Sequence, residues 1–450
     1  MKLESNEPLL EAIFNWAYKK IMTFTVTGTK NGAINRGDGG RWYGPEGIVL
    51  EEPRAAWAQP KDYRPAYWAG YRDRTAYYIR DFVHQAVGAH YAGLDNENYN
   101  MLYTFVSNAG EETGWFAPWA FNFDGSIYYM DTPNLQHFVR ELTAQFELVE
   151  TVYKLYCLTG DQRYIQDDAI FQFVSHILTD AVDRLDGAVL PEKNGIPEGF
   201  GDIFEISATY NERGFHAAEA GDSIAALVSA VNAYAALLTL RGQKEAARQQ
   251  RQRAEELRHY FNTVWSVMPD NDRVAYAIDS EGNKHAHWYK NGKEIYGGAT
   301  LIFIPLKKLL YAGERNQKLL DYIDEKETDP ATREDNIESL TYLPDLFFVQ
   351  HQPERAWFWM KYIFSKKDLP HERSSQGTNG DYPELSFTLL SQILEGMLGI
   401  NVNAAENSIL VAPQLPEGIR YIRVTDVPVG DKLYDITVDG DSVSVLEKQL

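Results

Sequence analysis

The sequence predicts an all-α protein, a toroid of six helical hairpins, (α/α)6, with a small β-rich cap at its C-terminal end. Three observations lead to this fold class. Apolar residues recur with the 3.6-residue helical period, the periodic segments come in pairs joined by short polar breaks, and short β-rich pieces replace them after Gly399-Ile400.

The clearest pair of periodic segments defines the repeating unit. One apolar stripe covers residues 139–156 and a second covers 170–185. Between them, 159–161 reads Thr-Gly-Asp, which supplies a glycine to end one helix and an aspartate to cap the next. A second pair, 224–238 and 243–266, repeats the pattern. The unit is therefore an αα-hairpin.

The remaining periodic segments complete twelve predicted helices. They lie near residues 7–23, 74–91, 95–108, 136–159, 161–185, 222–241, 243–266, 297–311, 314–325, 336–348, 353–366 and 384–398. Hairpins of this kind bury their stripes only by stacking on neighbours, and six of them can close into a ring. We expect a helical barrel domain over 1–400 and a β-rich cap over 401–450, too short for a full sandwich.

Long polar connections alternate with short ones. They cover residues 24–72, 109–135, 186–221, 267–296 and 367–383. In a ring of hairpins these long loops would gather at one mouth and form a cleft.

The charge balance narrows the choice of partners. With 64 acidic against 43 basic residues the net charge is −21, which disfavours nucleic acid and anionic membrane surfaces. We find no run of about 18 apolar residues and no signal-peptide pattern, which favours a soluble, cytoplasmic protein, or an exported one whose signal peptide is missing from this chain. His285-Ala-His287 and His216-x-x-Glu219 have spacings that could hold a metal, but no second ligand group accompanies either. No phosphate-binding glycine loop occurs in a strand-to-helix context, so we expect no metal and no cofactor.

Aromatic residues point to a carbohydrate partner. Many of the 10 Trp and 28 Tyr crowd into the first third of the chain. The loop that carries Trp115, Trp119, Asn122 and Asp124 combines rings with hydrogen-bonding groups, as expected of a site that stacks a sugar face and binds its rim. Trp288 is a candidate for the opposite wall. The alternative is that these rings fill a large core.

Three further segments carry a resemblance to a known family. They are the Thr-Gly-Asp break, the helix ending Phe261-Asn-Thr-Val-Trp265, and the Leu398-Gly-Ile400 run into Pro413-Gln-Leu-Pro416. With the hairpin architecture, they resemble the six-hairpin glycosidases, the group that holds trehalase, processing α-glucosidase, glucoamylase and α-L-rhamnosidase. The resemblance covers nearly the whole chain as architecture. It implies a glycoside hydrolase that acts on an oligosaccharide or glycoconjugate.

Local motifs carry family roles onto particular residues. Tyr78-Ile79-Arg80-Asp81-Phe82 looks like the aromatic-x-Arg-Asp signature whose Arg and Asp hold sugar hydroxyls in the relatives, and Trp68-Ala-Gly-Tyr-Arg72-Asp73 is a competing copy. Glu198-Gly-Phe-Gly-Asp202 is similar to a Glu-Ser-Gly-Trp-Asp segment whose last residue is the general acid. The Phe-Gly pair departs from that pattern and leaves the register open.

A glycosidase of this kind needs one protonated carboxyl to release the leaving group and one carboxylate to activate water, with inversion as the expected outcome. Asp202, between phenylalanines that could raise its pKa, is the candidate acid. The alternative is a loop acid or helix cap. Asp381 and Glu384, before the last helix, are candidates for the base, and the sequence leaves the choice open. Glu212 and His216 are candidate cleft residues.

Two rival functions remain open. The first is a sugar epimerase of the N-acylglucosamine epimerase type, in which His84, His216 and His371 would supply acid and base, although the β-rich tail argues against it. The second is a glycan-binding protein that keeps the fold without the chemistry.

Overall fold

The computed structural model describes residues 1–32, 34, 60–72, 74–210, 216–290, 293–295, 298–333 and 336–448. Their α-helices are α1 (Pro8–Phe24), α2 (Ile79–Tyr91), α3 (Asp95–Val106), α4 (Leu142–Thr159), α5 (Arg163–Gln166), α6 (Asp168–Leu178), α7 (Asp180–Leu185), α8 (Gly221–Leu240), α9 (Lys244–Tyr260), α10 (Ala299–Leu306), α11 (Glu314–Thr328), α12 (Ile337–Leu340), α13 (Tyr342–Val349), α14 (Pro353–Lys366) and α15 (Pro383–Ser391). Phe261–Trp265 continues α9 and Gln392–Met397 continues α15 as π-helical turns.

The strands are short and mostly antiparallel. They are β1 (Lys2–Ser5), β2 (Ala76–Tyr78), β3 (Ala120–Asn122), β4 (Glu219–Ala220), β5 (Ala277–Ile278), β6 (Lys284–His285), β7 (Trp288–Lys290), β8 (Lys293–Ile295), β9 (Ile400–Asn403), β10 (Ser408–Val411), β11 (Tyr421–Val429), β12 (Lys432–Asp439) and β13 (Ser442–Glu447).

Each of the twelve predicted helical segments contains a helix, so the helical part of the fold prediction is confirmed. Two segments are broken. The segment predicted over 161–185 forms three helices, with breaks at Asp167 and Thr179. At the first break Asp167 adopts an extended conformation, and its carboxylate accepts the amides of Ala169 and Ile170, which starts a new helix. The segment predicted over 336–348 divides at Thr341 into α12 and α13.

The helices pack in a regular order. Along the chain α2 contacts α4, α4 contacts α8, α8 contacts α10 and α10 contacts α13; α13 contacts the turn that continues α15, and α15 contacts α2. The other long helices each pack against a member of this series, α1 on α15, α3 on α2, α9 on α8, α11 on α10 and α14 on α13, while α6 contacts both α4 and α8. Most residues of α4, α8 and α13 are buried, and every residue of α15 is buried.

One helix contact requires a glycine. A Cβ built on Gly88 of α2 would lie 2.2 Å from the carbonyl oxygen of Phe387 in α15. The two backbones therefore approach too closely for any side chain at this position.

The C-terminal sheet differs from the cap expected over 401–450. Its four antiparallel strands have the order β1-β11-β12-β13, so β11 pairs with β1, which lies at the start of the sequence. Lys2 lies opposite Thr425 and Ser5 opposite Ile422. β1 was not predicted from the sequence, because four residues are too few to show a strand period.

Small sheets also lie in the long connections, which the all-α prediction did not include. The segment 74–78 was expected to begin a helix, but β2 pairs with β3, with Ala76 opposite Asn122 and Tyr78 opposite Ala120. The amide of Ile79 then donates to the carbonyl of Trp119 at 3.1 Å. This ladder fixes the start of α2 and the loop of Trp119 against each other.

Contrary to the sequence prediction, one helix of the described residues, Gly221–Leu240, is long and apolar enough to cross a membrane by composition. Of its most apolar 18-residue window, 72% is buried in the protein, as in the core helix of a globular protein.

Candidate functional site

Acidic side chains occupy the first turns of helices that meet at one place. They are Asp81 in α2, Glu338 in α12, Asp345 in α13 and Glu384 in α15. The amide groups of a helix N-terminus favour negative charge, so each acid is suited to its position. Together with His84 and His371, which contact these acids, they form what we call the carboxylate–histidine cluster.

Asp81 is the carboxyl whose protonation is most strongly altered. Burial, followed by the negative charges of Glu384 and Glu338, raises the pKa of Asp81 to about 8, although the hydroxyl of Tyr382 donates to Oδ1 and opposes the shift. The side chain keeps some exposure. At neutral pH Asp81 therefore holds a proton that it can deliver, the property required of a general acid.

His84 joins two of the other acids. Its Nδ1 contacts Oε1 of Glu384 and its Nε2 lies 3.1 Å from Oδ2 of Asp345. Burial lowers the pKa of His84, but the charge of Glu384 and the hydrogen bonds to both acids outweigh burial and raise it to about 9. The ring is therefore a cation at neutral pH, and it stacks on Tyr342 at 3.8 Å between ring centroids.

Glu384 is enclosed. Its side chain is 5% exposed, and Oε1 also accepts a hydrogen bond from Thr341 at 3.2 Å. Its partner His84 supplies the positive charge that a buried carboxylate requires. The geometry makes Glu384 a member of a buried ion pair.

Glu338 is more accessible than Glu384. Its side chain is 17% exposed, and the hydroxyl of Tyr71 donates to Oε2 at 3.1 Å. Oε1 lies 3.4 Å from Nε2 of His371. The ring of Tyr71 lies beside that of Tyr382, at 5.7 Å between centroids, which places Glu338 next to the phenol that contacts Asp81.

Arg80 forms the adjoining wall. Its guanidinium pairs with Glu141, whose side chain is 1% exposed, and lies over the rings of Trp119 at 4.9 Å and Tyr210 at 4.1 Å. The hydroxyl of Tyr210 bonds that of Tyr342 at 2.9 Å, which joins this wall to the cluster. The wall thus presents a cation and aromatic rings, groups suited to a sugar.

A buried acid holds that wall in place. Asp222 at the start of α8 accepts hydrogen bonds from Thr143 at 3.1 Å, Thr209 at 3.2 Å and the amide of Tyr210. The hydroxyl of Thr209 also bonds that of Thr300 in α10 at 2.9 Å. Four helix starts, those of α2, α4, α8 and α10, are thereby linked to the same region.

The structure brings some predicted site residues together and leaves others elsewhere. Glu384, Arg80, Asp81 and Trp119 lie at the cluster or its wall, as the contacts above show. The candidate acid does not: Asp202 is exposed, and its Oδ1 accepts the amide of Phe204 at 2.8 Å, as in a turn.

Asp381 and Glu198 are occupied by other interactions. Asp381 pairs with Lys20 at 2.7 Å and accepts both the amide and the hydroxyl of Thr378. Despite some burial, the lysine and these hydrogen bonds lower the pKa of Asp381 to about 2, which makes it a weak base. Glu198 is fully buried and accepts the amides of Gly187, Val189 and Leu190, so it fixes a loop.

Several predicted sugar-binding residues serve local structure. Asn122 and Asp124 bind Ser126 within a turn, and the ring of Trp115 stacks on His176. The remaining ones are Trp68, which packs edge-on against Phe123, and Arg72 and His216, which are exposed. Asp73 and Glu212 lie outside the described residues, as does the side chain of Trp288, whose backbone is in β7.

Sequence reasoning missed the rest of the cluster. Glu338 and Asp345 were not singled out, and Tyr71, Tyr382 and Tyr342 were not distinguished from other tyrosines. The available signal was positional, since each acid of the cluster lies in the first turn of its helix. A search for first-turn acids in alternate helices of the predicted hairpins could have found them.

Comparison with known proteins relates the chain to others through its fold. No family model and no curated protein matches the sequence. The structure is similar to a GH78 family rhamnosidase of Bacillus sp. GL1, with a TM-score of 0.63 at 13% identity, over 99% of this chain and 41% of that one. It is similar to a rhamnosidase from Klebsiella oxytoca with rhamnose bound, with a TM-score of 0.54 at 12% identity, over 87% of this chain and 64% of that one.

A third solved structure has nearly the same extent as this chain. It is a glycosidase variant in complex with glucose, with a TM-score of 0.52 at 11% identity, over 86% of this chain and 98% of that one. At such identities the likeness shows a shared fold. The chain spans less than two thirds of the length of either rhamnosidase.

Proposed function

We propose that this protein is a carbohydrate-active enzyme, a glycoside hydrolase whose reacting sugar lies at the carboxylate–histidine cluster. We further infer that the series α2, α4, α8, α10, α13 and α15 closes as the inner ring of an (α/α)6 toroid. The observation that carries the function is Asp81, a partly exposed carboxyl with a pKa of about 8 among carboxylates of neighbouring helix ends. Structural similarity to rhamnosidases and a glycosidase supports the class.

The proposed reaction uses two acids. Asp81 donates its proton to the glycosidic oxygen as the bond to the anomeric carbon breaks. Glu338 accepts a proton from water as the water oxygen bonds that carbon. The alcohol leaves with the proton of Asp81, and Glu338 holds the proton of water until both acids exchange with solvent. A direct attack by water inverts the anomeric centre.

We assign the role of general base to Glu338 and not to Glu384, because the two side chains differ in solvent exposure and in their hydrogen-bond partners. Glu384 is enclosed and pairs with the cationic ring of His84, whereas Glu338 is 17% exposed. A base must reach the water that it activates. Glu384 and His84 instead maintain the charge balance of the cluster, and the charge of Glu384 helps to keep Asp81 protonated.

The test is a hydrolysis screen over aryl glycosides and oligosaccharides. Asp81→Asn and Glu338→Gln each keep the size of the side chain and are expected to lower kcat by at least about 100-fold. Asp202→Asn and Asp381→Asn are matched controls and should retain activity. NMR of the first-formed anomer tests inversion. Full activity in both cluster variants, or loss in the controls alone, would overturn the assignment.

An epimerase is the second candidate, because His84 and His371 both contact the cluster. The imidazole of His84 has both nitrogens engaged and a pKa raised to about 9, which makes it a poor base at neutral pH. Incubation with an N-acetylated or reducing hexose, followed by NMR, distinguishes the two. Inversion at a ring carbon other than the anomeric one would favour the epimerase.

A further inference from the structure

A cleft of about 550 Å³ lies apart from the carboxylate–histidine cluster. Its lining includes the guanidinium groups of Arg140 and Arg184, the polar side chains of Thr113 and Gln136, and the ring of Phe200. Phe200 is 43% exposed, a large value for a phenylalanine. Arg140 directly precedes Glu141, the partner of Arg80, so the cleft adjoins the wall of the proposed active site.

Within the described residues, no acidic side chain neutralises the charge of either arginine. Neither makes an ion pair with an Asp or Glu within 4 Å among the described residues, although the whole chain carries a net charge of −21. Nε of Arg140 is buried and makes no hydrogen bond within the same residues. A buried guanidinium N–H without an acceptor is costly, and a bound anion would satisfy it.

The two positive charges also act on each other. Burial, and then the charge of Arg184, lowers the pKa of Arg140, with Glu205 opposing the shift. Glu112 lines the same cleft, but it is exposed and pairs with neither arginine. An anion between the guanidinium groups would relieve their repulsion.

Each guanidinium group donates one hydrogen bond to a backbone carbonyl. One nitrogen of Arg140 donates to the carbonyl of Phe204 at 3.2 Å, and one of Arg184 donates to the carbonyl of Gly114 at 3.0 Å. A Cβ built on Gly114 would lie 2.8 Å from the same nitrogen of Arg184. Each group therefore keeps free N–H donors in a fixed orientation, which suits bidentate binding of a planar carboxylate.

We propose that this cleft binds an acidic sugar, with the carboxylate of a uronic acid between Arg140 and Arg184 and the apolar face of its ring against Phe200. The site deepens the proposed function by naming a substrate class, and it rests on that function only for the assumption that the ligand is a carbohydrate. A sulfate ester could supply an anion to the same donors, so the test includes one.

The experiment is a ligand-detected NMR titration of the full chain at low ionic strength. The probes are methyl glucuronide, methyl glucoside 6-sulfate and neutral methyl glucoside. We expect the glucuronide to bind about tenfold or more tightly than the glucoside, and the difference to shrink with added salt. Equal binding of the two, or binding of the sulfate without the glucuronide, overturns the proposal.

Two variants locate the binding. Arg184→Gln removes one charge from an exposed side chain, and Gly114→Ala keeps the charge but displaces the guanidinium. Both should reduce the preference for glucuronide about tenfold, with circular dichroism unchanged. Arg248→Gln, which removes an exposed arginine paired with Glu245 on α9, is the matched control. A preference that survives both cleft variants overturns the site.

The same spectra separate this inference from the proposed function, because hydrolysis appears as new anomeric signals. If the protein prefers the glucuronide in a way that depends on Arg184 but hydrolyses no glycoside, the acidic-sugar site is supported and the proposed hydrolase function is contradicted. If the protein hydrolyses neutral glycosides but does not prefer the glucuronide, the hydrolase function is supported and the acidic-sugar site is contradicted.

Discussion

The raised pKa of Asp81 predicts an unusual dependence of stability on pH. Moving a carboxyl pKa from 3.8 to about 8 disfavours the ionised form by on the order of 5 kcal/mol. Because the folded state binds the proton more tightly, this contribution to stability is complete below pH about 4 and is lost as the pH rises through 8. Wild-type protein is therefore weakened at alkaline pH by an acid that its fold does not need.

Asp81→Asn removes that dependence. The amide is neutral at every pH, and its oxygen can still accept the hydroxyl of Tyr382. The variant should exceed the free energy of unfolding of the wild type by about 1–2 kcal/mol at pH 5 and by about 5 kcal/mol at pH 9, while kcat falls by about 100-fold or more. Gain of stability with loss of activity is expected where a site is built for chemistry.

The assay is urea-induced unfolding of both proteins at pH 5, 7 and 9. Asp202→Asn is the control, because it makes the same substitution on an exposed side chain outside the cluster. If the difference between Asp81→Asn and wild type is the same at all three pH values, Asp81 is an ordinary ionised acid. The proposed general acid would then be wrong.

Four further predictions follow from packing and charge. Glu384→Gln removes the main counter-charge of His84, so the pKa of that histidine, about 9, should fall by one or more units in an NMR titration. Asp381→Asn should cost about 1 kcal/mol at pH 7 and nothing below pH 2, since a lowered pKa stabilises above 3.8 and the effect is lost as pH falls through about 2. Gly88→Ala should destabilise the protein by about 1–3 kcal/mol in thermal unfolding, because its Cβ meets a backbone carbonyl of α15. Deletion of residues 1–6 should lower the thermal midpoint and leave the helical signal in circular dichroism nearly unchanged, since it removes β1.

The helices could be predicted from the sequence because the apolar period is a local property. Segments such as 139–156 carry their stripe whatever they pack against. Strand β2 could not be predicted in this way, since its three residues are held by a ladder with β3 more than 40 residues later. Its pairing is a tertiary interaction that overrides local preference.

The candidate site was predicted only in part, for a related reason. Asp81 was singled out because its motif resembles the aromatic-x-Arg-Asp signature, and Glu384 because it precedes the last predicted helix. Asp202 was chosen from a resemblance to a family motif and from its apolar neighbours in sequence, yet Phe200 and Phe204 leave it exposed in the folded chain. The pKa of a carboxyl group is altered by burial and by charges on residues that are distant in sequence. Glu338 and Glu384 alter the pKa of Asp81 in this way.

The pairing of β1 with β11 has a consequence for synthesis of the protein. The hydroxyl of Ser5 donates to the carbonyl of Tyr421, 416 positions later in the chain, so during translation β1 is made long before its partner strand emerges from the ribosome. Contacts between such distant segments form slowly and late. The helices between the two strands can pack while the chain grows, whereas this sheet can close only after β11 has been made.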